Sequence, residues 1–321
     1  MQGSVDAVVI GRNEGDRLIA CLASMQGQVR RVVYVDSGST DGSVVTARAA
    51  GAQVVALDMA RPFTAARARN AGLEMLADDP PDFVQLLDGD CALDPDWVAT
   101  AQAFLLARPD LAVVCGRRRE RFPQASVWNR LADAEWDTPP GAAKACGGDA
   151  LMRFAPVLQV GGYRDDLIAG EEPELCLRLA RAGWGIWRLE AEMTLHDAAM
   201  TRFSQWWRRT RRAGHAFAEG AALHGAGPER HWVAETRRAL LWGAVLPAVA
   251  VLGALIHPAA LLVLLAWPLQ ALRLALRRGG DRAAWERAAF TVLGKLPEAL
   301  GVLGYWWGRV QGRRAGLIEY K

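Results

Sequence analysis

The chain has 321 residues with 38 Lys and Arg against 35 Asp and Glu, which allows about two domains and excludes a peptide or a mini-protein. The net charge of +3 conceals an asymmetry, because residues 1–200 carry 20 basic against 28 acidic side chains, whereas residues 201–321 carry 18 against 7, together with 8 of the 13 tryptophans. A basic, tryptophan-rich segment with long uncharged runs favours membrane lipids as partners, and no pattern typical of RNA-binding proteins supports nucleic acid.

The N-terminal half alternates short β-branched runs with helical periods. Val5–Ile10 and Arg31–Val35 are typical of buried parallel strands, and Asp16–Met25 between them has helical spacing. The alternation continues with helices and strands in turn at Ser43–Ala50, Gln53–Leu57, Thr64–Leu76, Phe83–Leu87, Asp94–Leu106 and Ala112–Cys115. This pattern predicts an α/β fold with an open, mostly parallel sheet, helices on both faces and ligands at the carboxyl ends of the strands.

Residues 116–200 are less regular, because proline and glycine divide them into loops and short elements. One helix is predicted at Pro173–Gly183. From Phe203 the sequence becomes basic and aromatic, and Trp206 and Thr210 share one side of a predicted helix. Such a helix is typical of a membrane interface.

The longest uncharged run is Ala239–Leu272, with 34 residues free of Asp, Glu, Lys and Arg. It is longer than a core helix of a soluble protein, and the proline after His257 favours a turn in its middle. Two membrane segments are therefore expected, roughly Ala239–Ile256 and Ala259–Leu276, and the arginines at both ends of this hairpin predict that both ends are cytoplasmic. A soluble helical tail with an unusually apolar core is the alternative.

A further apolar stretch, Ala288–Trp307, contains Lys295 and Glu298, which are costly at mid-bilayer depth. It is expected to lie in the membrane interface. The sequence thus predicts three parts: a domain at 1–200, basic aromatic interfacial helices at 201–236, and a membrane hairpin with C-terminal interfacial helices at 237–321.

The five cysteines form an odd set without C-x-x-C spacing, which predicts neither a zinc site nor a disulfide framework. Reduced thiols are the expected state. The first residues lack the basic and apolar regions of a secretory signal, so the N-terminal half is expected in the cytoplasm.

Two acidic clusters directly follow predicted strands. In FVQLLDGD, Asp88 and Asp90 set two carboxylates at the mouth of the sheet, where they suit Mg²⁺ or Mn²⁺, and Gly89 lets a ligand approach the backbone. In VDSGSTDGS, Asp36 ends a strand before a tight turn and can accept hydrogen bonds from a base or a ribose. A solvated acidic turn and a plain strand-to-helix turn are the respective alternatives.

These clusters belong to a longer pattern. The order NE, VDSGSTDGS, ARARNAG, LLDGD and GGYRDDLIAGEEPELCLRLARAGW resembles the family 2 glycosyltransferases of GT-A fold over roughly residues 5–197. The resemblance implies transfer of a sugar from a nucleotide-diphosphate sugar, with a mild preference for uridine. It also implies a nucleotide-binding set formed by Asn13, Glu14, Asp36, Arg69 and Asp88. The implied ligands of Mn²⁺ or Mg²⁺ are Asp88, Asp90 and His196. A solvated arginine in the first turn of a helix is the alternative for Arg69, and a structural histidine is the alternative for His196.

The resemblance further implies a catalytic base, because an acceptor hydroxyl must lose its proton in an inverting transfer. The family places an E-D pair before an LxxRL helix, and here that pair is Glu171–Glu172. Glu172 is the candidate base and Glu171 its neighbour, and which of the two reaches the hydroxyl stays open. The alternative is a pair of helix N-terminal acids that interact favourably with the helix dipole.

Two departures from the family pattern affect the interpretation. Asp36 stands alone where the family has an acidic pair. Gln205–Arg209 resembles a Q-x-x-R-W motif of polysaccharide synthases but ends in arginine, which argues against processivity.

The sequence thus predicts an inverting enzyme at the inner (plasma) membrane, with its catalytic domain in the cytoplasm. The predicted acceptor is lipid-linked or membrane-embedded, and the predicted role is in cell-envelope glycolipid or polysaccharide synthesis. The alternatives are a polyprenyl-phosphate sugar synthase, whose phosphate acceptor needs no base, a processive synthase, for which the chain has too few apolar spans to enclose a polymer channel, a sugar-phosphate nucleotidyltransferase and a non-catalytic membrane scaffold.

Overall fold

The computed structural model describes residues 3–313, which form two compact units. The first unit runs to Ala125 and includes residues 132–167 and 171–199. The second contains residues 126–131, 168–170 and the chain from Met200 onward. The predicted division of the chain into parts at 1–200, 201–236 and 237–321 stays a prediction. Residues 1–2 of the first part and 314–321 of the last part lie outside the described residues.

One mixed sheet organises the first unit. The described strands run in the order β3-β2-β1-β4-β8-β6-β9-β5, with β7 paired to β9, and they are β1 (Val5–Gly11), β2 (Val32–Asp36), β3 (Gln53–Ala56), β4 (Phe83–Asp88), β5 (Cys91–Leu93), β6 (Leu111–Glu120), β7 (Gly141–Ala143), β8 (Ala150–Arg153) and β9 (Gly185–His196). Strands β1 to β4 pair in parallel as predicted, and β8 enters antiparallel to both β4 and β6.

The register gathers the polar strand ends at one edge. Ile10 is the partner of Asp88, and Gly11 is the partner of Asp36. The runs that lead there are buried on both sides, as parallel strands covered by helices require, and Val8 and Val9 are fully inaccessible.

The helices of the first part of the chain are α1 (Asp16–Ser24), α2 (Ser43–Ala49), α3 (Ala65–Leu76), α4 (Trp97–Ala107), α5 (Val127–Trp136), α6 (Phe154–Gln159) and α7 (Glu171–Arg181). Helix α3 begins after Thr64, whose hydroxyl accepts the N–H of Arg67 as a cap. Gly72 lets α3 approach β1 closely, because a Cβ there would overlap Val8. The five cysteines are free and buried.

Two strands extend beyond the sequence prediction. Strand β6 continues past the predicted end at Cys115 to Glu120, and β9 forms a 12-residue strand in a region predicted as loops and short elements. Arg117 is buried and Arg118 is half-buried in β6, and each pairs with a carboxylate, so their charges do not end the strand.

The second unit is helical. Its helices after residue 200 are α8 (Phe203–His224), α9 (Val233–Leu240), α10 (Leu246–Ala254), α11 (Ala266–Arg277), α12 (Arg282–Leu293) and α13 (Lys295–Val310). A π-helical turn joins α9 to α10, and a 3₁₀ stretch from Pro258 leads into α11. The resulting spans Val233–Ala254 and Pro258–Arg277 are long and apolar enough to cross a membrane by length and composition, and few of their residues are buried.

Candidate functional site

Asp36 closes β2 and organises the turn that follows it. Its Oδ2 accepts the backbone N–H groups of Gly38 and Ser39, both at 3.0 Å. Asn13, in a left-handed conformation with φ of 55°, reaches the same turn, since its Oδ1 accepts the N–H of Thr40 at 2.7 Å. The structure therefore brings the exits of β1 and β2 together around Asn13 and Asp36.

Glu14 lies beside the turn between Asp88 and Asp90. Its carboxylate pairs with Arg17 at 2.7 Å, and its Cγ would lie 3.2 Å from a Cβ on Gly89. The N–H of Gly89 donates to the carbonyl oxygen of Ile10 at 2.8 Å. A side chain at Gly89 would crowd the exit of the first strand, because that exit packs directly against the backbone of this turn.

Arg69 on α3 connects the acidic groups of two elements. Its Nη1 lies 3.0 Å from Oε1 of Glu171 and 2.9 Å from Oε1 of Glu172, both in the first turn of α7. Its Nη2 lies 2.8 Å from Oδ1 of Asp88 at the end of β4. The guanidinium is only 3% exposed, so three carboxylates share one buried cation.

Glu172 has a strongly shifted proton affinity. Burial and the neighbouring Glu171 carboxylate raise the pKa of Glu172 to about 7, against the opposing effect of Arg69. Near neutral pH both protonation states are populated, which suits a group that must accept a proton and release it again.

A second group of side chains forms around Asp90. Nε2 of His196 lies 3.4 Å from Oδ2 of Asp90, and its Nδ1 lies 3.6 Å from Oε2 of Glu120. Burial and the charge of Arg118 lower the pKa of His196, so the imidazole is neutral. A carboxylate and a neutral imidazole are donors that suit a divalent cation such as Mn²⁺, and the ligand atoms of Asp90, Cys91 and His196 all lie within 4.8 Å of one another.

Asp88 faces a different set of partners. Besides Arg69, its carboxylate meets Arg118, with 3.3 Å between Oδ2 and Nη2. Nε of Arg118 lies 3.3 Å from Oδ2 of the fully buried Asp149. Of the three predicted metal ligands, the structure brings Asp90 and His196 together and sets Asp88 between two arginines.

Arg118, Glu120 and Asp149 were not predicted from the sequence. The run RRRE, which directly follows a predicted strand, could have indicated Arg118 and Glu120. The segment GGDA, which leads into β8, could have indicated Asp149. Gly148 in that segment has no room for a side chain, since a Cβ would lie 2.6 Å from Nη2 of Arg69. Burial also raises the pKa of the Cys91 thiol beside Arg118.

Residues 6–154 match the sequence model of Glycosyl transferase family 2. The succinoglycan biosynthesis protein ExoA of Rhizobium meliloti is 28% identical over 169 residues, which cover 49% of this chain and 51% of that protein. A TPR repeat-containing protein of Synechococcus elongatus is 35% identical over 86 residues, 27% of this chain and 20% of that protein. The chain thus spans about half or less of the curated relatives it matches.

Two solved structures share the fold of this chain at low sequence identity. The mannosyltransferase PcManGT from Pyrobaculum calidifontis, in complex with GDP-Man and Mn²⁺, superposes with a TM-score of 0.64 at 20% identity, over 96% of this chain and 88% of that one. TarS 1–349 of S. aureus with UDP-GlcNAc superposes with a TM-score of 0.51 at 14% identity, over 97% and 92%. These similarities confirm the predicted GT-A fold.

Proposed function

We propose that this chain, whose residues 6–154 match the sequence model of glycosyl transferase family 2, is an inverting glycosyltransferase that moves a sugar from a nucleotide-diphosphate sugar to a lipid-linked or membrane-embedded acceptor. The observation that carries the proposal is the contact of Glu172 with buried Arg69, which also holds Asp88 at the carboxyl edge of the sheet. Solved proteins of the same fold that bind GDP-Man or UDP-GlcNAc support this class of donor.

The donor's nucleoside would occupy the exits of β1 and β2. Asn13, Glu14 and Asp36 offer amide and carboxylate oxygens to base and ribose there, and the backbone bonds to Asp36 fix its carboxylate in place. Arg69 supplies a buried positive charge for the nucleotide, and Asp88 completes this set at the end of β4.

Asp90 and His196 would hold the divalent cation, Mn²⁺ or Mg²⁺. When bound, the cation neutralises charge on the diphosphate, so that the nucleotide is a better leaving group. Neutral His196 offers a lone pair without having to lose a proton, and Asp90 offers a buried carboxylate oxygen. The Mn²⁺ in the PcManGT structure supports the use of such a cation.

Glu172 would accept the proton of the acceptor hydroxyl as its oxygen attacks the sugar. Glu171 contributes by raising the proton affinity of its neighbour, and Arg69 orients the Oε1 atoms of both groups. The proton moves from the hydroxyl oxygen to the carboxylate, so no separate strong base is required near neutral pH.

A membrane-held acceptor is supported by the helical part of the chain. Val233–Ala254 and Pro258–Arg277 are two candidate membrane spans, and α8 carries exposed arginines. A site joined by one chain to an inner-membrane hairpin, with its catalytic domain in the cytoplasm, meets lipid-linked acceptors at high effective concentration. The similarity to ExoA supports a role in cell-envelope polysaccharide or glycolipid synthesis.

The test uses membranes that contain the full chain, incubated with a panel of radiolabelled nucleotide-diphosphate sugars and Mn²⁺ or Mg²⁺. Label is expected in the organic phase after lipid extraction, and Asp90→Ala should abolish it, whereas the exposed control Asp96→Ala should not. Label found only as free sugar would contradict a lipid acceptor. No turnover of any donor would contradict the enzymatic function.

A further inference from the structure

Cys91 adds a sulfur to the group around Asp90. In the antiparallel pairing of β5 with β9, Cys91 is the direct register partner of His196, so the two side chains project from the same face of the sheet. Its Sγ lies 3.6 Å from Oδ1 of Asp90. The exposed fractions of Asp90, Cys91 and His196 are 4%, 1% and 6%, so the three donors converge in the protein interior.

Two neighbouring contacts have the form expected around a metal centre. The Nδ1 side of His196 faces the carboxylate of Glu120 at 3.6 Å, and such a carboxylate commonly orients a ligating histidine through its second nitrogen. Arg118 sets its Nη2 3.2 Å from Sγ of Cys91, so the sulfur has a hydrogen-bond donor on its other side. The surroundings therefore orient the imidazole and hold the sulfur in place.

We propose that Cys91 is a third ligand of the cation held by Asp90 and His196, so that this site takes up thiophilic divalent cations such as Co²⁺ and Zn²⁺ in preference to Mg²⁺. The inference rests on the proposed function, in which Asp90 and His196 bind the cation. One carboxylate, one imidazole and one thiolate form a donor set that Zn²⁺ accepts readily, whereas Mg²⁺ prefers oxygen ligands alone. Coordination displaces the thiol proton to solvent.

The purified full-length protein in detergent is titrated with Co²⁺ while its absorption is recorded, and Mn²⁺ binding is measured in parallel by electron paramagnetic resonance. Cys91→Ser is compared with Cys115→Ser, a control that removes another buried thiol, which lies against the carbonyl oxygen of Trp187. Wild type and control should show a sulfur-to-cobalt charge-transfer band. Cys91→Ser should lose the band and bind Co²⁺ about tenfold or more weakly.

Co²⁺ that binds without the band, or a band that persists in Cys91→Ser, would overturn the role of Cys91 while leaving Asp90 and His196 as ligands. Binding of neither Mn²⁺ nor Co²⁺ would overturn the cation site of the proposed function as well. X-ray absorption of the zinc-loaded wild type tests the inference even where Cys91→Ser does not fold. A sulfur neighbour at about 2.3 Å is expected, and a shell of nitrogen and oxygen alone would refute it.

Discussion

Replacement of Glu172 by glutamine separates its chemistry from its packing. Glu172→Gln keeps the size of the side chain but removes the proton acceptor, so transfer is expected to fall by about 10²- to 10⁴-fold. In the wild type the rate should rise with pH and level off above the pKa of about 7, because only the deprotonated carboxylate accepts the proton. One pH unit below that pKa, the rate should be about a tenth of the plateau.

Glu172→Gln should lower the transfer rate but raise the stability of the fold. Because the pKa of Glu172 is raised from 4.5 to about 7 in the folded protein, folding favours the protonated form. The stability that this protonation contributes is complete below pH 4.5 and is lost as the pH rises to about 7. At about 1.4 kcal/mol for each tenfold change, the ionised carboxylate costs on the order of 3 kcal/mol above that window. Glutamine stays neutral, so Glu172→Gln should raise the free energy of unfolding above neutral pH and have little effect below pH 4.5.

The assays are single-turnover transfer from a labelled donor as a function of pH, and denaturant unfolding at a pH on each side of the window. Glu190→Gln provides a matched control, because Glu190 is exposed on β9, and it should alter neither quantity. A Glu172→Gln protein that keeps its rate at high pH would refute the base and would fit a phosphate acceptor. A protein that is slow but not more stable at high pH would refute the burial argument.

Three further substitutions test the rest of the site and its support. Asp90→Asn should weaken Mn²⁺ binding about tenfold or more in calorimetry, and unchanged affinity would exclude this carboxylate as a ligand. Arg69→Gln removes the charge that opposes the raised pKa of Glu172, so the pH–rate profile should move to higher pH, and a profile that stays in place would contradict that coupling. Gly72→Ala should lower the free energy of unfolding by about 1–3 kcal/mol because its methyl group overlaps Val8, and an unchanged thermal midpoint would refute the close packing of α3 on β1.

The parallel part of the sheet was predictable because its strands are buried on both faces. Val5–Ile10 was predicted and Val5–Gly11 is observed, since a continuous β-branched run bounded by glycine leaves little choice of structure. The end of β6 was not predictable, because arginines that follow a strand usually indicate a solvated segment. Arg117 stays in the strand because its guanidinium lies 3.1 Å from Asp133, on a helix that follows later in the chain, and 3.4 Å from Asp137.

The partners of the two aspartates in the DGD turn depend on contacts that no local pattern contains. Asp88 meets arginines from α3 and β6, whereas Asp90 meets His196 from β9. The latter contact depends on the register of β5 against β9, which sets Cys91 opposite His196. A slip of one residue would turn the imidazole to the other face and leave the buried Asp90 carboxylate without it. The motif therefore predicts a cation site at this edge of the sheet, but the tertiary register decides which aspartate has the imidazole beside it.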